Sequence, residues 1–132
     1  MTNKLFYPAI FHTADEGGFW VSFPDFPECL TEGDDMAQAY EMAVDALGLA
    51  ITSREEEHAE VPAASDFQSI SVSKGEFITI VEFDMLAYKK RTNSRAVKKT
   101  LSIPEWLNEA ATDAGINFSQ VLQEALIQKV GM

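Results

Sequence analysis

From residue 97 to residue 103 the chain alternates, with Val97, Lys99, Leu101 and Ile103 on one side of an extended backbone and Lys98, Thr100 and Ser102 on the other. The period then lengthens. Pro104 suits a first helical turn, and Leu107, Ala110, Ala111 and Ala114 recur at helical spacing until Gly115. Asn117 can cap a second helix with Gln120 in its first turn, and Phe118, Val121, Leu122, Ala125 and Leu126 form its apolar stripe. The pattern predicts one amphipathic strand followed by two helices.

Upstream the signals are mainly of strands. Residues 5–12 and 19–23 are rich in aromatic and branched side chains, and the Asp15-Glu16-Gly17-Gly18 turn between them predicts a hairpin. Pro24 and Pro27 are expected to interrupt the pairing before a short third strand at residues 29–31. Asp35 and Gln38 then open a helix whose stripe is Met36, Ala39, Tyr40, Ala43, Leu47, Ala50 and Ile51, and residues 54–60 end it in solvent. A loop at 61–66 leads to extended structure at 69–73, a Lys74-Gly75 turn and a strand at 77–83. Being apolar on both faces, that last strand is expected in the middle of the sheet. Residues 84–88 form a short helical exit, and basic, aperiodic residues 89–95 a linker. The fold class is α+β: a β-β-β-α-β single-sheet domain over residues 1–88 and a strand-helix-helix module over 96–132.

A strand with two helices in about 35 residues has no sheet partner and too little core to stand alone. It is expected to dimerise. Pairing the strand antiparallel with its own copy across a two-fold axis turns Leu101 and Ile103 onto four helices and leaves Lys98, Thr100 and Ser102 outward.

Charge separates the same two regions. Residues 1–88 carry three Lys/Arg against seventeen Asp/Glu, a formal −14, and residues 89–132 carry seven against four, a formal +3. The net −11 argues against nucleic-acid binding by the chain as a whole, yet residues 89–104 hold six basic side chains and no acid. Local field decides, because screening limits its reach to about 8–10 Å. Cys29 stands alone, which excludes an intrachain disulfide and fits a reducing, cytoplasmic setting. It reads as a small buried filler, and His12 and His58 are not placed by sequence to activate it. No apolar run approaches the roughly 18 residues of a membrane span, and there is no signal-peptide pattern. Asp25, Glu28, Asp34, Asp35 and Glu41 cluster in sequence, as a two-metal nuclease would need, but helix capping explains Asp34 and Asp35 more simply. No ligand or cofactor signature and no metal-binding spacing emerges, so no catalytic residue, cofactor or metal is assigned.

Residues 97–104 and 115–119 resemble a ribbon-helix-helix DNA-binding module of the MetJ and Arc kind, whose two-stranded ribbon enters the major groove. By position the resemblance makes Lys98, Thr100 and Ser102 base-edge readers. It gives the phosphates to the helix start at Asn117, Phe118 and Ser119, and Arg95 can lie along the backbone. Ser102-Ile103-Pro104-Glu105 also reads as a capping box, which would occupy the Ser102 hydroxyl. Tyr7-Pro8-Ala9-Ile10, Gly18-Phe19-Trp20-Val21, the loop Phe23 to Cys29, and Thr31 to Asp35 leading into Ala39 to Ala43 resemble the HicB-type antitoxin domain, a reduced RNase H-like fold. Together the two likenesses cover nearly the whole chain. They imply a type II antitoxin that inhibits a small basic mRNA interferase of the HicA type and represses its own operon at operator DNA. They imply a homodimer through the C-terminal module; further association into tetramers, or a hetero-oligomer with toxin, stays open. Trp20, Asp25 and Phe26 are the candidate toxin contacts, with core or turn roles as their alternatives. The rival readings are a metal-dependent nuclease and a stand-alone repressor with a ligand-sensing domain.

Overall fold

The computed structural model describes residues 4–131. The chain divides into two compact units, up to Asn93 and from Ser94. In the first, strands β1 (Lys4–Thr13), β2 (Phe19–Phe23) and β3 (Phe26–Gly33) precede helix α1 (Met36–Glu56), strand β4 (Glu76–Asp84) and helix α2 (Met85–Thr92). The sheet is antiparallel in the order β3-β2-β1-β4.

One face of this sheet is closed by α1. Tyr7, Ala9 and Phe11 of β1, Val21 and Phe23 of β2, and Val81 and Phe83 of β4 meet Ala39, Ala43, Leu47 and Ile51 of the helix, and all are buried. The predicted stripe is therefore the packed one, except that Met36 is exposed. Small residues let the helix lie close. A Cβ added at Gly48 would stand 2.5 Å from the Tyr88 ring and 2.7 Å from the Phe83 ring, so this mid-helix glycine is a packing requirement. At Gly33 the added carbon would stand 2.3 Å from the backbone nitrogen of Ala39, where strand β3 passes the first turn of α1.

The helix start follows from its capping residues. Gln38 N–H donates to Asp35 Oδ1 at 2.8 Å, and Gln38 Oε1 accepts from Asp34 N–H at 2.6 Å, so the two ends cap each other. At the other end Arg54 does not trail into solvent as expected. It forms a two-pronged ion pair with Glu28, at 2.7 and 2.8 Å, and lies over the Phe26 ring.

Three further expectations are corrected. Strand β4 lies at an edge, because the long β1 pairs with β2 on one side and leaves its other side for the strand that returns after the helix. Its second apolar face marks an uncovered surface: Ile80 is 46% exposed. Residues 69–73 form no strand and pair with neither edge of the sheet. Residues 89–92 are not linker but the last turn of α2, capped by Asp84 through Ala87 N–H and held by the Arg91–Asp45 ion pair and by Arg91 over Tyr88. The third strand is also longer than expected, running through Pro27, which an edge strand tolerates.

In the second unit, α3 (Glu105–Asp113) and α4 (Phe118–Val130) follow residues 94–104, which have no ladder partner among the described residues, so the strand expected at residues 97–103 is not formed within the single chain. Gly115 (φ +70°) takes the left-handed position after α3, its N–H donating to Thr112 O and that of Ile116 to Ala111 O. No described residue from 94 to 131 is buried, and only Ala111 and Leu122 reach half-burial.

Candidate binding surfaces

The C-terminal unit carries its apolar side chains around a groove. Leu101 and Ile103 line it with Phe118, Val121 and Leu122, and the Lys99 side chain borders it; the volume is about 500 Å³. Lys99, Leu101 and Ile103 share this side, and Lys98, Thr100 and Ser102 fall between them in sequence and are exposed. The structure thus brings Lys99, Leu101 and Ile103 of the predicted set together, leaves Val97 84% exposed outside the groove, and keeps the three expected base readers in solvent. No side chain caps α3, so the Ser102 hydroxyl is not spent as the capping-box alternative would have it. Asn117 caps α4, accepting from Gln120 N–H at 3.0 Å, and the Phe118 ring and Ser119 border the groove. Any phosphate contact at this helix start would therefore come from backbone N–H groups rather than from the Phe118 ring. Arg95 is exposed.

In the N-terminal unit the second surface is the sheet face turned away from α1. Cross-strand register sets its rows: Leu30, Ser22, Ile10 and Ile78 in one, Glu32, Trp20, His12 and Glu76 in the next. Within the second row His12 Nδ1 is hydrogen-bonded to Glu76 Oε2 at 2.8 Å, and Nε2 on the other side of the ring is hydrogen-bonded to Ser22 Oγ at 2.9 Å. The Trp20 ring stacks flat on His12, with centroids 3.4 Å apart and planes 5° apart. The backbone N–H of Ser73 donates to Glu76, and with His12 this holds the Glu76 carboxyl below its ordinary pKa.

Ser22, His12 and Glu76 follow one another in the order of a nucleophile, its base and an orienting acid. That order alone does not make an acyl-transfer site. Ser22 lies within strand β2, paired with Ile10 on one side and Leu30 on the other, and not on an exposed turn after a strand that would present its hydroxyl to a substrate. The trio works instead as a clamp on the Trp20 ring.

The expected toxin contacts separate. Trp20 is 43% exposed on the open face. Asp25 accepts from the backbone N–H of Ser65 at 3.0 Å and from its hydroxyl, tying the β2–β3 turn to the loop after α1. Phe26 is fully buried against Tyr7 and beneath Arg54, so its ring is core and offers no contact surface. The clustered acids likewise go to separate tasks, Asp25 to Ser65, Glu28 to Arg54 and Asp35 to its helix cap. The Arg54 guanidinium holds the Glu28 carboxyl below its usual range. Burial pushes the Cys29 thiol up to about 11, which keeps it neutral and unreactive, in line with a filler role.

Sequence reasoning missed the His12, Ser22 and Glu76 clamp and the apolar patch beside it. The available signal was the even-numbered series Phe6, Pro8, Ile10 in β1 and Ile78, Ile80 in β4, too apolar for a face in water.

Known proteins agree with this architecture. A family model described as HicB-like antitoxin of bacterial toxin-antitoxin system matches residues 7–127. Antitoxin HicB 1 of Photorhabdus laumondii subsp. laumondii is 46% identical over 60 residues, covering 46% of this chain and 39% of that protein. The match thus spans well under half the length of that curated relative. A chain in a toxin-antitoxin complex from Streptococcus pneumoniae is 31% identical with a TM-score of 0.60, over 96% of this chain and 99% of that one. A chain of the HicA3 and HicB3 toxin-antitoxin complex, 24% identical over 61% of this chain and 99% of that one, shares the fold with a TM-score of 0.53.

Proposed function

The chain belongs to the HicB-like antitoxin family of bacterial toxin-antitoxin systems, and from that premise we propose that it neutralises a HicA-type mRNA interferase and represses its own operon. The first task falls to the acidic unit and the second to the C-terminal one, and both act by binding rather than by catalysis. One observation supports the division above others: a closed acidic domain is followed by a unit of no net formal charge whose first residues, 94–104, hold Arg95, Lys98 and Lys99 and no acid, and in which no described residue from 94 to 131 is buried. A toxin built to hold RNA must present positive charge to phosphates, and the acidic unit competes for that surface. The solved HicA3 and HicB3 complex supports a partner of this kind.

The C-terminal unit needs a second copy. Two antiparallel copies of residues 97–103 would bury Leu101 and Ile103 between four helices and set two rows of Lys98, Thr100 and Ser102 against the major groove. Asn117, Phe118 and Ser119, with Arg95, would anchor the ribbon on phosphates. No described helix is long and apolar enough to cross a membrane, and the working place is the cytoplasm, where operon and messenger are met.

The test is Lys98→Ala in the full chain. It removes a donor to guanine, so operator affinity in a gel shift should fall by about 1–3 kcal/mol while growth rescue from the toxin stays intact. An unchanged gel shift would remove Lys98 from the groove, and loss of both activities would mean the two units do not divide the work.

A further inference from the structure

The open sheet face has exposed apolar groups and nothing of the sheet domain's own helix upon it. Phe6 is 48% exposed, Ile80 46% and Leu30 63%, and all lie on the side away from α1 with half-buried Ile10 and Ile78. Isolated exposed apolar residues need no explanation, but Phe6, Ile10, Ile78 and Ile80 cluster around Pro8, itself almost fully buried, on one rigid sheet, and such a cluster does. The set is also preorganised. The clamp of Glu76, His12 and Ser22 fixes Trp20, so this ring would lose little freedom on docking, which is how a buried aromatic becomes an anchor.

Charge selects the occupant. Glu32, Glu76, Glu82 and Asp84 project on the same face, the last two beside Lys4, and residues 1–93 carry six Lys/Arg against seventeen Asp/Glu. A second copy of this face would bring acid to acid, and a nucleic acid would be repelled. A basic protein with an apolar patch among its cations fits both features. The face continues into a cleft of about 600 Å³ where Trp20 and Glu32 meet Glu16 and Asp34, a receptacle for a Lys or Arg side chain at the margin of such a contact.

We propose that the helix-free face of the sheet, centred on Ile10, Ile78 and Ile80 and anchored by Trp20, is the surface on which the basic RNA-cleaving toxin docks. This rests on the antitoxin reading above and names the surface that carries it.

The experiment uses the full chain, its partner toxin and Ile80→Arg, which puts a cation at the centre of the patch without touching the core side of β4. Titration calorimetry should give a toxin affinity reduced by about 100-fold or more, with circular dichroism and operator gel shift as for the wild type. Trp20→Ala is the second variant, and it should weaken binding by about 10-fold or more even if Ile80→Arg fails to fold. Wild-type affinity in a folded Ile80→Arg chain overturns the proposal while leaving the antitoxin reading in place. Failure of the wild-type chain to bind the toxin overturns the antitoxin reading itself. If light scattering shows that Ile80→Arg lowers the chain's own assembly state with toxin binding intact, the face joins copies of this chain, and the proposal is equally overturned.

Discussion

The two units solve the same problem differently. The N-terminal one closes fourteen buried apolar residues between one helix and one sheet face, whereas the C-terminal one, equally apolar in its stripes, buries no described residue. A four-stranded sheet can satisfy its backbone within one chain, but a lone strand cannot. Stability should accordingly be a property of the chain in the first case and of concentration in the second.

The largest effect that would break this contrast is expected from Leu101→Asp. A carboxylate at the centre of the groove would be buried without a partner on dimerisation, so the C-terminal unit should lose its association and operator gel shift by about 100-fold or more. The N-terminal unit should melt unchanged. A variant still dimeric by sedimentation would place the association elsewhere and undo the ribbon assignment.

Next in size is Phe11→Ala in the middle strand of the closed core. Phe11 is fully buried and meets the rings of Phe19 and Phe77, so truncation should cost about 3–5 kcal/mol in urea unfolding of the N-terminal unit. That loss should be the same at every protein concentration, in contrast to the C-terminal transition. A concentration-dependent midpoint for both would mean that the sheet domain also borrows its stability from a partner.

How far these features could be read in advance depended on whether the physics was local. The hairpin at Gly17-Gly18, the capped start of α1 at Asp35 and Gln38, and the stripe from Ala39 to Ile51 are set by neighbouring residues, and they form as expected. Sheet order is not local. The strand around Ile78 and Ile80 was expected at the centre because both its faces are apolar, but the same composition serves an edge strand whose outer face is uncovered. The start of α2 was expected at residues 84–88, but its last turn was hidden for a related reason: Lys89, Lys90 and Arg91 have no apolar period, and it is Tyr88 and Asp45 that hold the turn. At the candidate surfaces the alternation of residues 97–103 was legible, whereas the clamp of His12, Ser22 and Glu76 joins three strands and has no signature in any one of them.

The smallest effect sharpens the comparison at the helix ends. Helix α3 finishes on Gly115 (φ +70°) and α1 on His58 (φ +57°), and the bonding is the same in both: His58 N–H donates to Glu55 O at 3.2 Å and Ala59 N–H to Arg54 O at 2.8 Å. An L side chain pays roughly 1–2 kcal/mol to sit in the left-handed region, and glycine avoids that cost but gives back part of it as chain entropy in the unfolded state. The exposed His58 side chain has no burial to lose. His58→Gly should therefore stabilise the N-terminal unit by about 0.5–1 kcal/mol, a rise of a few degrees in its melting temperature. A lower melting temperature would show that the His58 side chain contributes more to this helix end than its backbone strain costs.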